Sequence, residues 1–448
     1  MLNIREYSYC FLDINQNYYE KSVNKSYYNQ IAFRIETFFY FSDNLNLWEN
    51  INKMKMQVED KLILSCVKIN ASLSELECIN DLIPLIQDWD YLIKTIIERG
   101  IGPLLYKKLS FLSNSSLIPE TVKTKLYQVY YKTFSRSALL YEHFRKIVEE
   151  FSLHEIPVIA LKGVYLSEWL YQDIGLRQFS DIDLLIKETN GDECLIILSE
   201  LGYKPSEIGL SKFVLSQLEI VHYPAMLLES VSVELHIKLH YKKESYNLIV
   251  DELWKNSISE TINGMKVSVL NRYDLLIHLC LHLDKHFQGG HVQFTCFNDI
   301  TNLLERYKET LNWNQLIETC KLYKCEEIVF KYIIMNHKYL NASMPSDMFK
   351  KYSALLLAND ELVFYKKLKF NKDVFSFVPT HLKALKKIEK YSDKIKYFSD
   401  ILFPSKDFMI QVYNIKHTSL YLFYYPYRYY IGIRGVMNYL KKKIVGRK

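Results

Sequence analysis

Two carboxylates two residues apart, Asp181 and Asp183, stand at the head of the apolar run Leu184-Leu185-Ile186. The pattern fits the start of a buried strand, whose two-residue repeat points both carboxylates to one side. Two acids facing one point repel each other unless a cation lies between them, and hard divalent ions take carboxylate and phosphate oxygens as ligands. This is the donor arrangement that metal-assisted phosphoryl or nucleotidyl transfer needs. An isolated D-x-D pair is equally compatible with a solvated turn, but this pair is not isolated. Pro157-Val158-Ile159-Ala160-Leu161 reads as a first strand, and it runs into Lys162-Gly163. Gly163 permits a sharp turn and a close approach of backbone to phosphate. In Val231-Ser232-Val233-Glu234-Leu235-His236-Ile237, alternation puts Val233, Leu235 and Ile237 on one face and Glu234 and His236 on the other. Asp181, Asp183 and Glu234 would then be three acids from two strands, enough for a two-metal site.

Cations flank these acids. Lys162 follows the first strand, and beside Gly163 it is placed to approach a phosphate. Arg177 lies four residues before Asp181, where it either clamps a phosphate in bidentate fashion or orders the loop through an ion pair to Asp173 or Asp181. His236 shares the face of Glu234; it could orient that acid, contact nucleotide, carry a proton or be a satisfied structural histidine. His278, His282 and His286 recur every four residues, with Lys285 beside the stripe. An H-x-x-x-H pair can bind zinc, but a convincing carboxylate or cysteine ligand is missing, as is the Glu of H-E-x-x-H. A polar helix face over a nucleotide pocket, with Asp299 as a possible partner, is the better reading.

Leu161-Lys162-Gly163, Leu170-Tyr171, Gly175-Leu176-Arg177, Ser180-Asp181-Ile182-Asp183-Leu184-Leu185 and Glu234-Leu235-His236 together resemble the motifs of the uncharacterised bacterial nucleotidyltransferase family, within the DNA-polymerase-beta-like superfamily. The resemblance runs from about Leu62 to Phe408 and takes in Trp89-Asp90, Leu104-Leu105-Tyr106, the helix Leu275–His282, Asp299 and Leu402-Phe403-Pro404-Ser405. Val164 replaces the small hydroxyl residue that usually follows the glycine, and the gap from Gly163 to Asp181 is long. The resemblance implies an α+β fold: a small mixed nucleotidyltransferase sheet flanked by N-terminal and C-terminal helical regions. It implies transfer of NMP, with AMP from ATP expected, to an unidentified hydroxyl-bearing acceptor, with release of pyrophosphate. It implies two Mg²⁺ ions, with Mn²⁺ as the alternative, on Asp181, Asp183 and Glu234. Nucleotide would contact Lys162, Gly163, Arg177, Ser180, His236, His282 and Lys285. A non-catalytic nucleotide-binding regulator on the same fold, or a toxin-like enzyme modifying tRNA, are the alternatives.

The helices and strands that must position these residues divide the chain into four parts: an N-terminal extension of unknown role (1–60), a helical region (61–153), a catalytic core (154–270) and a C-terminal helical region (271–448). Periodicity predicts a long helix over 119–153, strands at 157–161 and 181–187, and helices at 164–171 and 191–201. Segments near 225–229 and 231–237 would pair antiparallel, and 265–270 would add another edge. With 448 residues the chain can bury a large core. Its 57 basic and 51 acidic residues leave +6, which permits a nucleic-acid partner without demanding one. Eight cysteines without a C-x-x-C pair, a polar amino terminus and no long apolar run suggest a reduced, cytoplasmic protein without a transmembrane segment. The 36 tyrosines, with many Asn, Lys and Ile, suggest an AT-rich bacterial genome. The aromatic stretch from Leu420 to Ile431 with its basic tail could lie on an anionic membrane or contact nucleic acid. Packing of these aromatics into the core is the favoured reading.

Overall fold

The computed structural model describes residues 56–206, 221–240, 246–289 and 294–356, and parts of 360–445. The N-terminal extension up to residue 55 lies outside the described residues, as do Cys10 and Ser405. The two runs that begin the catalytic core form antiparallel strands: β1, Val158–Ala160, and β2, Asp181–Ile186, with Ala160 opposite Leu184 and Val158 opposite Ile186. Both are buried on two faces apart from Asp181, which explains their nearly continuous apolar sequence. The sheet is completed by β3 (Lys204–Pro205), β4 (Met226–Leu228), β5 (Val231–His236), β6 (Ile258–Ile262) and β7 (Met265–Val269), in the order β3-β4-β5-β2-β1-β7-β6. The pairings β2–β5 and β1–β7 are parallel, and the others antiparallel. The fold is α+β: one mixed seven-stranded sheet with flanking helices.

The expected edge strand at 265–270 is not an edge. Strand β7 lies inside the sheet, and the true edge is β6, whose alternating short polar residues Ser259 and Thr261 are exposed and read as loop. Asn263-Gly264 joins the two, with φ of 48° and 78°. An Asn-Gly pair with positive φ at both residues is a strong hairpin signal, so the sequence did contain the evidence for β6.

Helices α1 (Val58–Ser65), α2 (Leu73–Leu82), α3 (Trp89–Glu98) and α4 (Gly102–Lys108) precede the long α5, Glu120–Leu153. Two of these starts are written in the sequence. Ser72 and Glu75 form a reciprocal capping box on α2, and Asp88 accepts from the Tyr91 N–H on α3. Helix α6, Lys162–Trp169, starts two residues earlier than periodicity suggests; α7 is Gly191–Glu200 and α8 is Val250–Lys255. The C-terminal helices are α9 (Arg272–Gly289), α10 (Phe294–Arg306), α11 (Trp313–Leu322), α12 (Glu326–Leu340), α13 (Ser346–Tyr352), α14 (Tyr391–Leu402) and α15 (Tyr424–Val445). Among the described residues, no helix is long and apolar enough to cross a membrane. The expectation that the Leu420–Ile431 aromatics pack into the core fails: Leu422, Phe423, Tyr427 and Tyr430 are each more than half exposed.

The helices N-terminal and C-terminal to the core are tied through one side chain. Asn302 of α10 accepts from the Ile69 N–H at 2.7 Å and donates to the carbonyls of Val67 at 2.9 Å and Asn298 at 2.8 Å. Its buried amide satisfies two backbone groups that lie far away in sequence. Asn302→Leu leaves the Ile69 N–H and Val67 carbonyl without that partner, at a cost of about 1–3 kcal/mol for each buried group left unpaired. Chemical denaturation should show a matching fall in unfolding free energy, and an unchanged midpoint would mean that the tie is dispensable.

Candidate active site

The parallel β2–β5 register sets Asp183 directly beside Glu234. Asp181 lies two residues earlier on the same face of β2, and His236 two residues later than Glu234 on β5. Apolar partners hold the other faces: Ile182, Leu184, Val233 and Leu235 are almost fully buried. The strand alternation thus forces the polar side chains together. His236 Nε2 is 2.8 Å from Asp183 Oδ1 and 3.6 Å from Glu234 Oε2. Asp183, Glu234 and His236 each offer a ligand atom, and these atoms all lie within 4.8 Å of one another. Lys162 Nζ lies 3.1 Å from Asp183 Oδ2.

Charge compensation follows from this packing. Burial pushes the Asp183 carboxyl up, but the Lys162 ammonium and the His236 hydrogen bond outweigh it and hold the group well below the usual carboxylate range. The reverse effects act on the partners. Burial favours neutral Lys162 and neutral His236, yet the adjoining acids raise both above their ordinary values. Asp181 lacks such close cations. Burial, and then the charge of Asp183, push it up to about 6. Glu234 is lowered, chiefly by its hydrogen bond to His236. One acid held ionised by resident cations therefore stands next to another whose ionised form is disfavoured by burial and by its neighbour's charge.

Gly163 works differently from expected. Its backbone does not need a positive φ; that strain falls on Lys162, at φ 30°. A Cβ on Gly163 would instead meet the Phe179 ring at 2.7 Å. The glycine admits Phe179, which comes from the loop leading into Asp181, against the start of α6. Arg177 also departs from the sequence reading. Its loop-ordering partner is neither Asp173 nor Asp181 but Asp299 on α10: Nε donates to Oδ1 at 2.9 Å and Nη2 to Oδ2 at 2.7 Å. Tyr171 Oη donates to the same carboxylate at 2.9 Å. Both members of the ion pair are buried. The bidentate face expected to clamp a phosphate is therefore occupied by protein, and only Nη1 has no protein partner.

The acids open into a cavity of about 550 Å³. Lys162, Gly163, Arg177, Ser180, Asp181, Asp183, Glu234, His236, His282 and Lys285 all line it, so the fold gathers every residue singled out from sequence. Ser180 is exposed at its rim, and its carbonyl accepts from Arg136 Nη2 at 2.9 Å. The α9 histidine stripe forms one wall, as its four-residue spacing predicted. His282 Nδ1 lies 3.5 Å from Cys296 Sγ and its Nε2 lies 3.2 Å from His286 Nε2. Burial, then the nearby Lys162 charge, hold His282 well below its ordinary value; His278 is lowered by burial and then by His240. Both effects favour the neutral, hydrogen-bonding imidazole. The sequence reading missed His222 and His240. The His222 ring lies 5.2 Å from that of His236, and His240 Nε2 lies 3.0 Å from His278 Nδ1. Neither has a motif or periodic signal, because each reaches the cavity from a loop flanking β5. Glu98 and Arg99, at the C-terminal end of α3, also line the cavity and were missed.

Residues 86–341 match a protein family described as uncharacterised nucleotidyltransferase. The chain belongs to this family. The matched stretch runs from before α3 to just past α12, and so includes both acid-bearing strands, the Arg177–Asp299 pair and the histidine wall. No curated protein matches the chain. A solved structure of the antibiotic-resistance factor ANT(2'')-Ia is similar over 42% of this chain and 91% of its own, at 11% identity and a TM-score of 0.29. As a family member the protein is a nucleotidyltransferase, a transferase acting on an NTP.

Two substitutions separate packing from ligand contact here. Asp299→Asn strips Arg177 of its buried counter-charge, a change that costs about 3–5 kcal/mol when one partner of a buried pair is removed. Thermal and urea unfolding should register that loss; unchanged stability would place the Arg177 charge in contact with solvent. Gly163→Ala forces the Phe179 ring aside and should lower stability by about 1–3 kcal/mol. A fully stable Gly163→Ala protein would show that Phe179 has room to move.

Proposed function

We propose that the protein uses Asp181, Asp183 and Glu234 to transfer a nucleoside monophosphate, AMP from ATP, to a hydroxyl-bearing acceptor with release of pyrophosphate. The observation that carries this reading is the juxtaposition of Asp183 with Glu234 across the parallel β2–β5 pairing, inside a cavity large enough for a nucleotide. A degenerate, binding-only site has no need to keep three acids on one wall of a cavity, where their mutual repulsion must be offset.

The donor set fits a divalent cation. The converging donors are carboxylate oxygens of Asp183 and Glu234, which suit Mg²⁺, and the His236 nitrogen, which makes the set equally acceptable to Mn²⁺; Asp181, on the same face of β2, would add a third carboxylate from outside that cluster. Asp181, pushed up to about 6, is the carboxylate that gains most from an added positive charge. When bound, the metal ions would neutralise phosphate charge and favour ionisation of the acceptor hydroxyl. The chain's own groups account for the remaining requirements. Lys162 supplies a cation at the cavity floor, where a triphosphate must approach buried acids. His236 fixes the orientation of Asp183 through its hydrogen bond. Glu234 is more exposed than Asp183 and stands on the acceptor side as ligand and candidate base. His282 and Lys285 line the opposite wall as contacts for nucleotide or acceptor.

Three measurements test the proposal. Asp183→Asn, which keeps volume but removes ligand charge, should reduce Mg²⁺-dependent pyrophosphate release by about a hundredfold or more in folded protein. Retained turnover in an Asp181→Asn/Asp183→Asn double variant would refute the assignment. Glu234→Gln should lower turnover more than ATP-Mg²⁺ affinity; an equal loss of both would move Glu234 to the triphosphate. Incubation of the wild-type protein with labelled NTPs and cell extract should place label on the acceptor. ATP binding without any turnover across acceptor pools would instead favour a regulator.

A further inference from the structure

The C-terminal segment has a charge balance and an exposure pattern that the active site does not use. After Asp407 the sequence carries eight basic residues and no acidic one. The whole chain has 57 basic and 51 acidic residues, so everything before that point holds 49 basic and 51 acidic. The protein's net positive charge thus lies entirely in its last 41 residues. Those residues include α15, and one side of that helix is fixed to the body of the protein. Tyr425 Oη donates to the Pro404 carbonyl at 2.6 Å, Arg428 Nη2 donates to the Ile401 carbonyl at 2.9 Å, and the rings of Tyr425 and Tyr429 lie 6.3 Å from Phe403.

Several large apolar side chains on and beside the helix are exposed. Phe423, Tyr427, Tyr430 and Met437 are exposed by 76%, 53%, 61% and 51%, and Ile433 by 66%. Positions 427, 430 and 437 of α15 fall on one helical face, with exposed Arg434 among them, and Phe423 ends the short 3-10 segment just before the helix. Helix α14 repeats the pattern: Tyr391, Ile395 and Phe398, at spacings of four and three, are each more than half exposed while Tyr397 is buried. Large apolar side chains exposed together in this way mark a candidate interaction surface.

We propose that α14 and α15 form a docking surface for an anionic lipid bilayer, on which α15 lies in the headgroup plane without crossing the membrane. The absence of any acid after Asp407 supplies attraction to anionic headgroups. Exposed Phe, Ile and Met supply apolar surface for the acyl boundary, and the tyrosines suit the interface between the two. A second copy of the chain is a poorer occupant, since it would bring two like-charged segments together. Single-stranded nucleic acid is also poorer: it would stack on the aromatic rings but gain nothing from Ile433 and Met437. The surface would hold a nucleotidyl acceptor of membrane origin near the enzyme, although docking does not depend on the acceptor's identity.

Vesicle co-sedimentation of the full-length protein tests this. The protein should sediment with phosphatidylserine–phosphatidylcholine vesicles, much less with phosphatidylcholine alone, and less again at high salt. Phe423→Ser/Ile433→Ser should weaken binding about tenfold or more, through the lost apolar area. Lys441→Glu/Lys442→Glu/Lys443→Glu should weaken it further and remove the salt dependence. Both variants should keep wild-type thermal stability and ATP-Mg²⁺ affinity, which separates loss of docking from misfolding. Three results would overturn the proposal: no preference for anionic vesicles; wild-type vesicle binding by the Phe423→Ser/Ile433→Ser variant; or a concentration-dependent dimer, or tighter binding to an oligonucleotide than to vesicles, that the same variant abolishes.

Discussion

Everything at the centre of this protein depends on burying Asp183 as an ionised carboxylate. A lone buried charge is costly, and the protein meets that cost with Lys162 on one oxygen and His236 on the other. Each partner is delivered by a different element. Lys162 comes from the start of α6, with its backbone held at positive φ; His236 comes from β5. The Leu161 N–H donates to the Asp183 carbonyl at 3.1 Å, so main-chain pairing of the first strand's end with β2 sets the distance that the Lys162 ammonium must span. Sheet register and charge compensation are thus one constraint. A slip of either strand by one residue would turn Asp183 or Glu234 towards the apolar face.

A second buried pair links this core to the C-terminal helices. Arg177 sits on the loop that delivers β2, and Asp299 on α10. Tyr171 adds a third group to the same carboxylate. The loop between α6 and β2 is therefore anchored at its far wall by a helix more than a hundred residues away in sequence, and Phe179 anchors it at Gly163. That double anchorage gives a physical reason for the long interval between Gly163 and Asp181: the loop is a packed part of the cavity wall.

The C-terminal helices carry out two separate tasks. α9 and α10 close the cavity with the histidine stripe and the Asp299 carboxylate. α14 and α15 carry exposed apolar residues, and none of their described residues lines the cavity.

The sequence by itself determined the acid strands, their inward faces and the family. Alternation at 231–237 and the D-x-D spacing are local patterns, and strand geometry converts them into direction without help from the rest of the chain. The four-residue spacing of His278, His282 and His286 was legible in the same way. Tertiary structure decided the partners. Arg177 could have met Asp173, Asp181 or a phosphate, and only the packing of α10 against its loop assigns it to Asp299. Gly163 looked like a turn residue, because no local rule announces the Phe179 ring that fills its missing Cβ. His222 and His240 became cavity residues only through loop closure around β5. The exposure of the C-terminal aromatics also lay beyond sequence pattern: a helix with apolar residues on several faces reads as core until the body it packs against is known, and among the described residues Tyr425 and Tyr429 meet Phe403 while Phe423 and Tyr430 are exposed.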